Sequence, residues 1–392
     1  MKTRKITLIL LPFVVAMASA ACRRQPQSGP QQTTNSNLAL TQEKPAGGEA
    51  SVGERSFFRG TIAAGANNLK IEMTLVRDGD RATGSYFYPK VGKNIELNGT
   101  IDNDGNVDLR EKDDSGKETG VFKGKWKAAV EPNELGMANI AGKWSKPDGS
   151  KETTFEMTQQ PIDFSVAAAH FVPKVIKEAN KKSHYQIEVV YPQIEGDTRF
   201  DKFNKEVRAM VTKNVAAFKT SETGTETDAG AETPAETLNS TLDSDYEIRF
   251  ATDDLINIEF SESAYERGAA HPNSNTSVLN YDIRNGKKLA LADLFNAKSN
   301  YLKAISDYCI KDLKQQAKKD KDSMLSDDMI QSGAAARADN FNAWTITKQG
   351  LWITFDPYQV AAYAAGPQKV LIPYPALKDL IKVDGPIAAF LQ

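Results

Sequence analysis

Between Phe57 and Met157, apolar and polar residues alternate in short runs, and turn residues cut most of them. Leu69, Ile71, Met73 and Leu75 occupy every second position and stop before Asp78-Gly79. Ile95, Leu97 and Ile101 precede Asp104-Gly105, Val107 and Leu109 precede Ser115-Gly116, and Ile140 to Trp144 precede Asp148-Gly149. A period of two with one apolar face marks a half-buried strand, and these dipeptides favour tight hairpins. Phe57–Ile62, Ser85–Tyr88, Val121–Trp126 and Thr154–Met157 bring the set to about eight strands. Hairpins in series predict an all-β domain over 55–160, an antiparallel meander curled into a barrel or sandwich. Gly84-Ser85-Tyr86, Gly124-Lys125-Trp126 and Gly142-Lys143-Trp144 form a weak repeat, with glycine at a strand bend beneath an aromatic ring. Such units fit either a packed core or a small ligand cavity. Asp102–Asp108 resembles a calcium loop only superficially. Its glycine is misplaced and no terminal glutamate follows, so a hairpin turn is expected.

From 161 to 392 the pattern turns mixed. Tyr185, Ile187, Val189 and Tyr191 alternate as a strand, and Phe203, Val207, Met210, Val211, Val215 and Phe218 recur at helical spacing. Tyr246–Phe250 and Leu255–Phe260 read as a hairpin around Asp253-Asp254, followed by a strand over Val278–Ile283 and a turn at Asn285-Gly286. Leu302, Ile305, Tyr308, Cys309 and Leu313 mark a second helix. Trp344–Ile346 and Leu351–Phe355 flank a turn at Gln349-Gly350, Lys369–Ile372 is a last strand, and Pro375–Ile381 is a short helix. Helices on one face of an antiparallel sheet predict an α+β domain.

The N-terminus gives an address. Met1–Lys5 is cationic, Ile6–Ala20 is largely apolar, and small residues precede Cys22. That is the layout of a secretory signal over 1–21, and the small residues before the cysteine resemble a bacterial lipobox. The resemblance implies cleavage before Cys22, lipidation of that cysteine and a membrane anchor. Arg23 in place of an aspartate favours the outer membrane where there are two. Residues 22–54 are rich in Gln, Ser, Thr, Pro and Gly and predict a disordered tether. The stretch 220–244 is acidic without Lys or Arg and predicts a solvated disordered loop. The chain has 392 residues, 40% hydrophobic and 26% charged, with a net charge of −2. This is globular composition for about two or three domains, without the basic excess of a nucleic-acid binder.

Two motif groups carry a family resemblance. One is Tyr265-Glu266-Arg267-Gly268-Ala269-Ala270-His271-Pro272-Asn273, with Asn280-Tyr281-Asp282, Asn285-Gly286-Lys287-Lys288-Leu289 and Asp293-Leu294-Phe295. The other runs from Phe355-Asp356-Pro357-Tyr358 through Tyr363 and Gly366-Pro367 to Ile372-Pro373-Tyr374. Over about 180–385 the chain resembles the extracytoplasmic domain of lysozyme-sensing anti-sigma factors and of PdaC-type peptidoglycan deacetylases. It lacks the sensor's cytoplasmic and transmembrane segments and the deacetylase's metal-dependent catalytic domain, so the resemblance implies the accessory module and neither activity. Ala269 stands where the family commonly has glycine.

Of the three histidines, His271 lies in a glycine-containing loop and reads either as a hydrogen-bonding brace of that loop or as a ligand contact. Tyr265 and Asn273 flank it. Tyr358, Tyr363 and Tyr374 sit near prolines and read either as core packing or as aromatics suited to stacking on sugars or anchoring a partner. Cys309 lies on an apolar stripe and reads as a buried thiol. No catalytic set, metal site or cofactor is expected. The leading expectation is a non-enzymatic envelope lipoprotein that binds cell-wall glycan or a wall-degrading protein such as lysozyme. A peptidoglycan-modifying hydrolase using His271, or a small-molecule carrier using the β domain, are the alternatives.

Overall fold

A computed structural model describes residues 54–65, 67–127, 137–224, 239–320 and 322–391. Cys22, the signal segment and nearly all of the expected tether lie outside the described residues.

The alternating segments form a closed eight-stranded barrel: β1 (Glu54–Ala64), β2 (Asn67–Asp78), β3 (Arg81–Phe87), β4 (Ile95–Ile101), β5 (Asn106–Lys112), β6 (Glu118–Lys127), β7 (Asn139–Ser145) and β8 (Thr153–Gln160). Each strand pairs antiparallel with the next, and β8 returns to β1. Closure removes the free edges that an open meander would expose. Every second residue points inward, and the interior is a packed core. Phe58 meets Trp126 edge-on at 5.0 Å, and Phe122 meets Phe155 in the same way. Such pairs contribute about 1 kcal/mol beyond their burial. Glu111 is held inside by Tyr86 Oη at 2.6 Å and Trp144 Nε1 at 3.0 Å. All three repeat glycines sit where strands touch. A Cβ on Gly84 would lie 1.9 Å from Thr74 O, and one on Gly142 would lie 2.1 Å from Lys123 O. The Asp102–Asp108 segment is a hairpin turn, its aspartate accepting from the Asn106 backbone N–H.

The rest is α+β. A sheet contains β10 (His170–Asn180), β11 (Tyr185–Glu195), β12 (Ser240–Thr252), β13 (Leu255–Tyr265), β14 (Asn273–Asp282) and β15 (Lys287–Lys288) in that order, with β9 (Ile162–Asp163) beside β12. The expected antiparallel sheet is mixed, because β12 runs parallel to both β11 and β9. Between β11 and β12 the chain crosses through α1 (Asp201–Gly224), the connection that parallel neighbours need. Its apolar stripe, led by Phe203, Val207, Val211 and Val215, packs on the sheet.

The acidic loop is shorter than expected. Residues 220–224 continue α1, where Thr220 Oγ1 donates to Ala216 O, and from Ser240 the chain is already β12, drawn in by Leu242 in the core. Its middle, 225–238, lies outside the described residues.

A second core joins α2 (Tyr301–Lys319), α3 (Asp327–Gly333) and a three-stranded sheet of β16 (Trp344–Ile346), β17 (Gly350–Phe355) and β18 (Gln368–Pro373). Cys309 is buried there, and burial pushes its thiol pKa up. The helix expected over Pro375–Ile381 is only a 3-10 turn at Tyr374–Ala376, and the chain is then held by a bridge between Ile381 and Phe295.

A buried charge network docks the barrel on the sheet. Arg59 of β1 meets Asp245 of β12 at 2.5 Å and Glu72 of β2 at 3.4 Å, and lies 4.5 Å over the Tyr246 ring. Tyr246 Oη donates to Glu72 at 2.9 Å, and Lys70 also meets Asp245. Burial alone would raise both carboxyl pKa values. At Glu72 it prevails and the pKa is raised. At Asp245 the charges of Arg59 and Lys70 outweigh it and the pKa is lowered.

The two carboxylates therefore respond to pH with opposite signs. Asp245 contributes stability above the ordinary aspartate range, lost as pH falls through its folded value. Glu72 opposes folding increasingly as pH rises through its raised value. Asp245→Asn is expected to cost about 2 kcal/mol at neutral pH, with the loss vanishing in acid, whereas Glu72→Gln is neutral or slightly stabilising at neutral pH. Thermal unfolding of both variants across acid and neutral buffers checks this.

Candidate functional site

Two loops far apart in sequence meet at one surface. The first joins β13 to β14. It turns on Gly268, whose φ of +89° is open to glycine, and Ala269 N–H donates to Glu266 O. Ala269 is not among the left-handed residues, so this turn needs only one glycine. The second follows β17. There Gln359 N–H donates to Asp356 O, and Gln359 Nε2 reaches Gly333 O and Asn340 O at 3.0 and 2.9 Å. Thr276 N–H donates to Asp356 Oδ1 at 2.9 Å and ties the loops together. Burial raises the Asp356 pKa against that hydrogen bond.

Rings stack across the junction. His271 lies on Tyr363 with centroids 3.9 Å apart and planes at 25°, and Tyr363 meets Tyr358 at 5.4 Å. Tyr363 Oη donates to Pro272 O at 2.5 Å, and His271 Nδ1 lies 3.0 Å from the same carbonyl. Tyr358 has φ of +70° and is 60% exposed. A left-handed conformation is costly for a bulky side chain and is retained where the surroundings impose it, often at functional sites. The result is a ledge of three rings with a face open to solvent at Tyr358.

The other residues singled out from sequence are placed differently. Asn273 starts β14, exposed beside the stack. Tyr265 ends β13, half-buried and paired with Thr241, and enters none of the stack's ring contacts. Tyr374 is not a surface residue. It is 2% exposed, its hydroxyl donates to Thr347 O at 2.6 Å, and its ring stacks on Phe390. A tyrosine can be buried this way because its hydroxyl finds a partner. Asp356 and Thr276, which set the loops' register, were not singled out. The Asp356-Pro357 turn signal was the available clue. Among the described residues, no three His, Cys, Asp or Glu side chains converge as metal ligands.

Tyr363→Phe is expected to lose about 1 kcal/mol by removing the hydroxyl bond while keeping the stack. Tyr358→Ala should leave stability within about 0.5 kcal/mol, as for an exposed residue. Denaturant unfolding checks both.

Two segments match known families. Residues 178–274 match the family described as Deacetylase PdaC, and residues 292–375 match Protein of unknown function (DUF3298). The first includes His271 and Asn273, and the second includes Tyr358 and Tyr363. The chain is 32% identical over 146 residues to the peptidoglycan-N-acetylmuramic acid deacetylase PdaC of Bacillus subtilis, a stretch that is 37% of this chain and 30% of that protein. The chain thus spans less than a third of that relative. Two solved structures are similar at 17% identity. One is a DUF3298 family member from Bacteroides fragilis, with TM-score 0.40, covering 58% of this chain and 98% of that one. The other is a DUF3298 family protein from Pseudomonas aeruginosa, with TM-score 0.42, covering 55% and 96%.

Proposed function

We propose that this chain is a non-enzymatic, extracytoplasmic module that binds cell-wall glycan on the ledge of His271, Tyr363 and Tyr358, tethered to the envelope through a lipid on Cys22. The observation that carries the reading is the ring stack itself. Sugar rings have apolar faces and hydroxyl edges. An exposed aromatic face takes the former, and Asn273 beside it can hydrogen-bond the latter. The peptidoglycan deacetylase that shares part of this sequence supports a wall polymer as the ligand class. The leader before Cys22 supports delivery outside the cytoplasm. The resemblance to lysozyme sensors supports a second reading, a wall-degrading protein as partner, for which Tyr358 would be the anchor.

The test is co-sedimentation of the purified full-length protein with insoluble peptidoglycan, alongside capture on immobilised lysozyme. Retention on peptidoglycan is expected, with Tyr358→Ala weakening it about tenfold, the scale of one aromatic contact. Retention on lysozyme alone would favour the second reading. Release of modified wall fragments, abolished by His271→Ala with the fold intact, would replace both with a hydrolase.

A further inference from the structure

The ring ledge does not end at its rings. A groove of about 870 Å³, within the size range of ligand sites, lies between the barrel and the large sheet and opens beside it. Three residues join the two. Ser274 follows Asn273 of the ledge, Thr276 gives its N–H to Asp356 and so ties the ledge loops, and Pro367 follows the turn that begins at Tyr363. From there the groove crosses four strands. Ser274 of β14, Ser263 of β13, Asp243 of β12 and Glu188 of β11 form one cross-strand row on its floor. At the spacing of paired strands this row is about 14 Å long.

The charges of the floor are matched. Asp245 meets Arg59 and Lys70, and Glu188 meets Lys90 and Lys177. Glu262 accepts an amide from Asn214. What the floor offers is uncharged for the most part. The hydroxyls of Ser261, Ser263 and Ser274 make no hydrogen bond among the described residues, and Asp243 is the one lining carboxylate without a partner there. The barrel supplies an apolar wall, where Leu69 and Val91 stand 44% and 71% exposed and Tyr88 and Pro89 complete the lining.

Resting on the glycan reading of the ledge, we propose that the groove continues the same site, and that the ligand is a glycan strand of several sugars rather than a terminal sugar or a disaccharide. A strand stacked on Tyr358 and Tyr363 passes the β14 edge and runs on across the floor. Its hydroxyl and acetamido groups pair with the serine hydroxyls and with Asp243, which accepts only. Its apolar ring faces pack on Leu69, Val91 and Tyr88. Matched ion pairs give no net field to select a charged chain, and a polyol occupies such a lining without burying a charge. Floor and ledge both rest on paired strands, so added length brings contacts with little further ordering.

Calorimetric titration of the purified full-length protein with the dimer and the hexamer of β-1,4-linked N-acetylglucosamine, a neutral glycan backbone, reads the effect of length. The hexamer is expected to bind at least about tenfold tighter than the dimer. Val91→Asp, which removes the apolar wall at an exposed position, and Ser263→Arg, which fills the floor, each cut that advantage to the small factor that extra registers on the ledge supply. Dimer binding is unchanged in both, whereas Tyr358→Ala weakens dimer and hexamer alike. Equal affinity for the two oligomers, or an advantage that survives both groove variants, would overturn the groove and leave the ledge reading in place. Binding of neither oligomer by a protein that still sediments with peptidoglycan would also overturn the groove alone. Binding of neither, with sedimentation lost as well, would remove the ledge reading and the groove with it.

Discussion

Glu259 is a carboxylate withdrawn from water in the middle of β13, and the architecture around the ledge follows from what neutralises it. Arg249 of β12 donates to one oxygen at 2.8 Å, and Thr354 of β17 donates to the other at 2.9 Å. Arg249 is 1% exposed, also meets Glu247, and lies 4.9 Å over the Trp352 ring. Separating such a pair leaves a buried charge uncompensated, at a cost of about 3–5 kcal/mol. The large and small sheets are therefore locked in one register. Asn280 Nδ2 reinforces it by donating to Trp344 O at 2.7 Å.

That register decides where the loops fall. β13 leads into the His271 loop, and two residues beyond Thr354 the chain reaches Asp356, which receives the Thr276 N–H. The ring stack is the far end of this arrangement. Tyr363 reaches Pro272 across 91 positions of sequence, a contact that loop flexibility alone would make costly to hold. The ledge is preorganised by rigid strands, which suits binding a polymer with little further ordering. The barrel is held by a different device, the Arg59–Glu72–Asp245 network, in which burial prevails at Glu72 while the charges of Arg59 and Lys70 prevail over burial at Asp245.

Much of the fold was legible because it is local. The barrel strands are short alternating or β-branched and aromatic runs, and most end at glycine turns, so all eight could be read. β10 could not. Pro173 and Lys174 interrupt its pattern, and as an edge strand it has Val175 37% exposed, a place where proline is tolerated but alternation is weak. The parallel β11–β12 pairing is a tertiary choice that periodicity does not encode. At the site, sequence marked His271, Tyr358 and Tyr363 one by one as loop residues, but their stacking joins two loops about 90 positions apart, which no local pattern reveals. For Tyr374 the structure supports core packing over a surface ligand contact. Its neighbouring prolines suggest a surface loop, while its hydroxyl finds Thr347 O in the core.

The most direct test of the account is saturation-transfer NMR from the tyrosine ring protons to soluble peptidoglycan fragments, using the full-length protein. Transfer to the apolar faces of the sugar rings is expected, lost when Tyr358 and Tyr363 are both replaced by leucine in a protein that still folds. Absence of transfer, or transfer that survives the double replacement, would contradict a glycan site on this ledge.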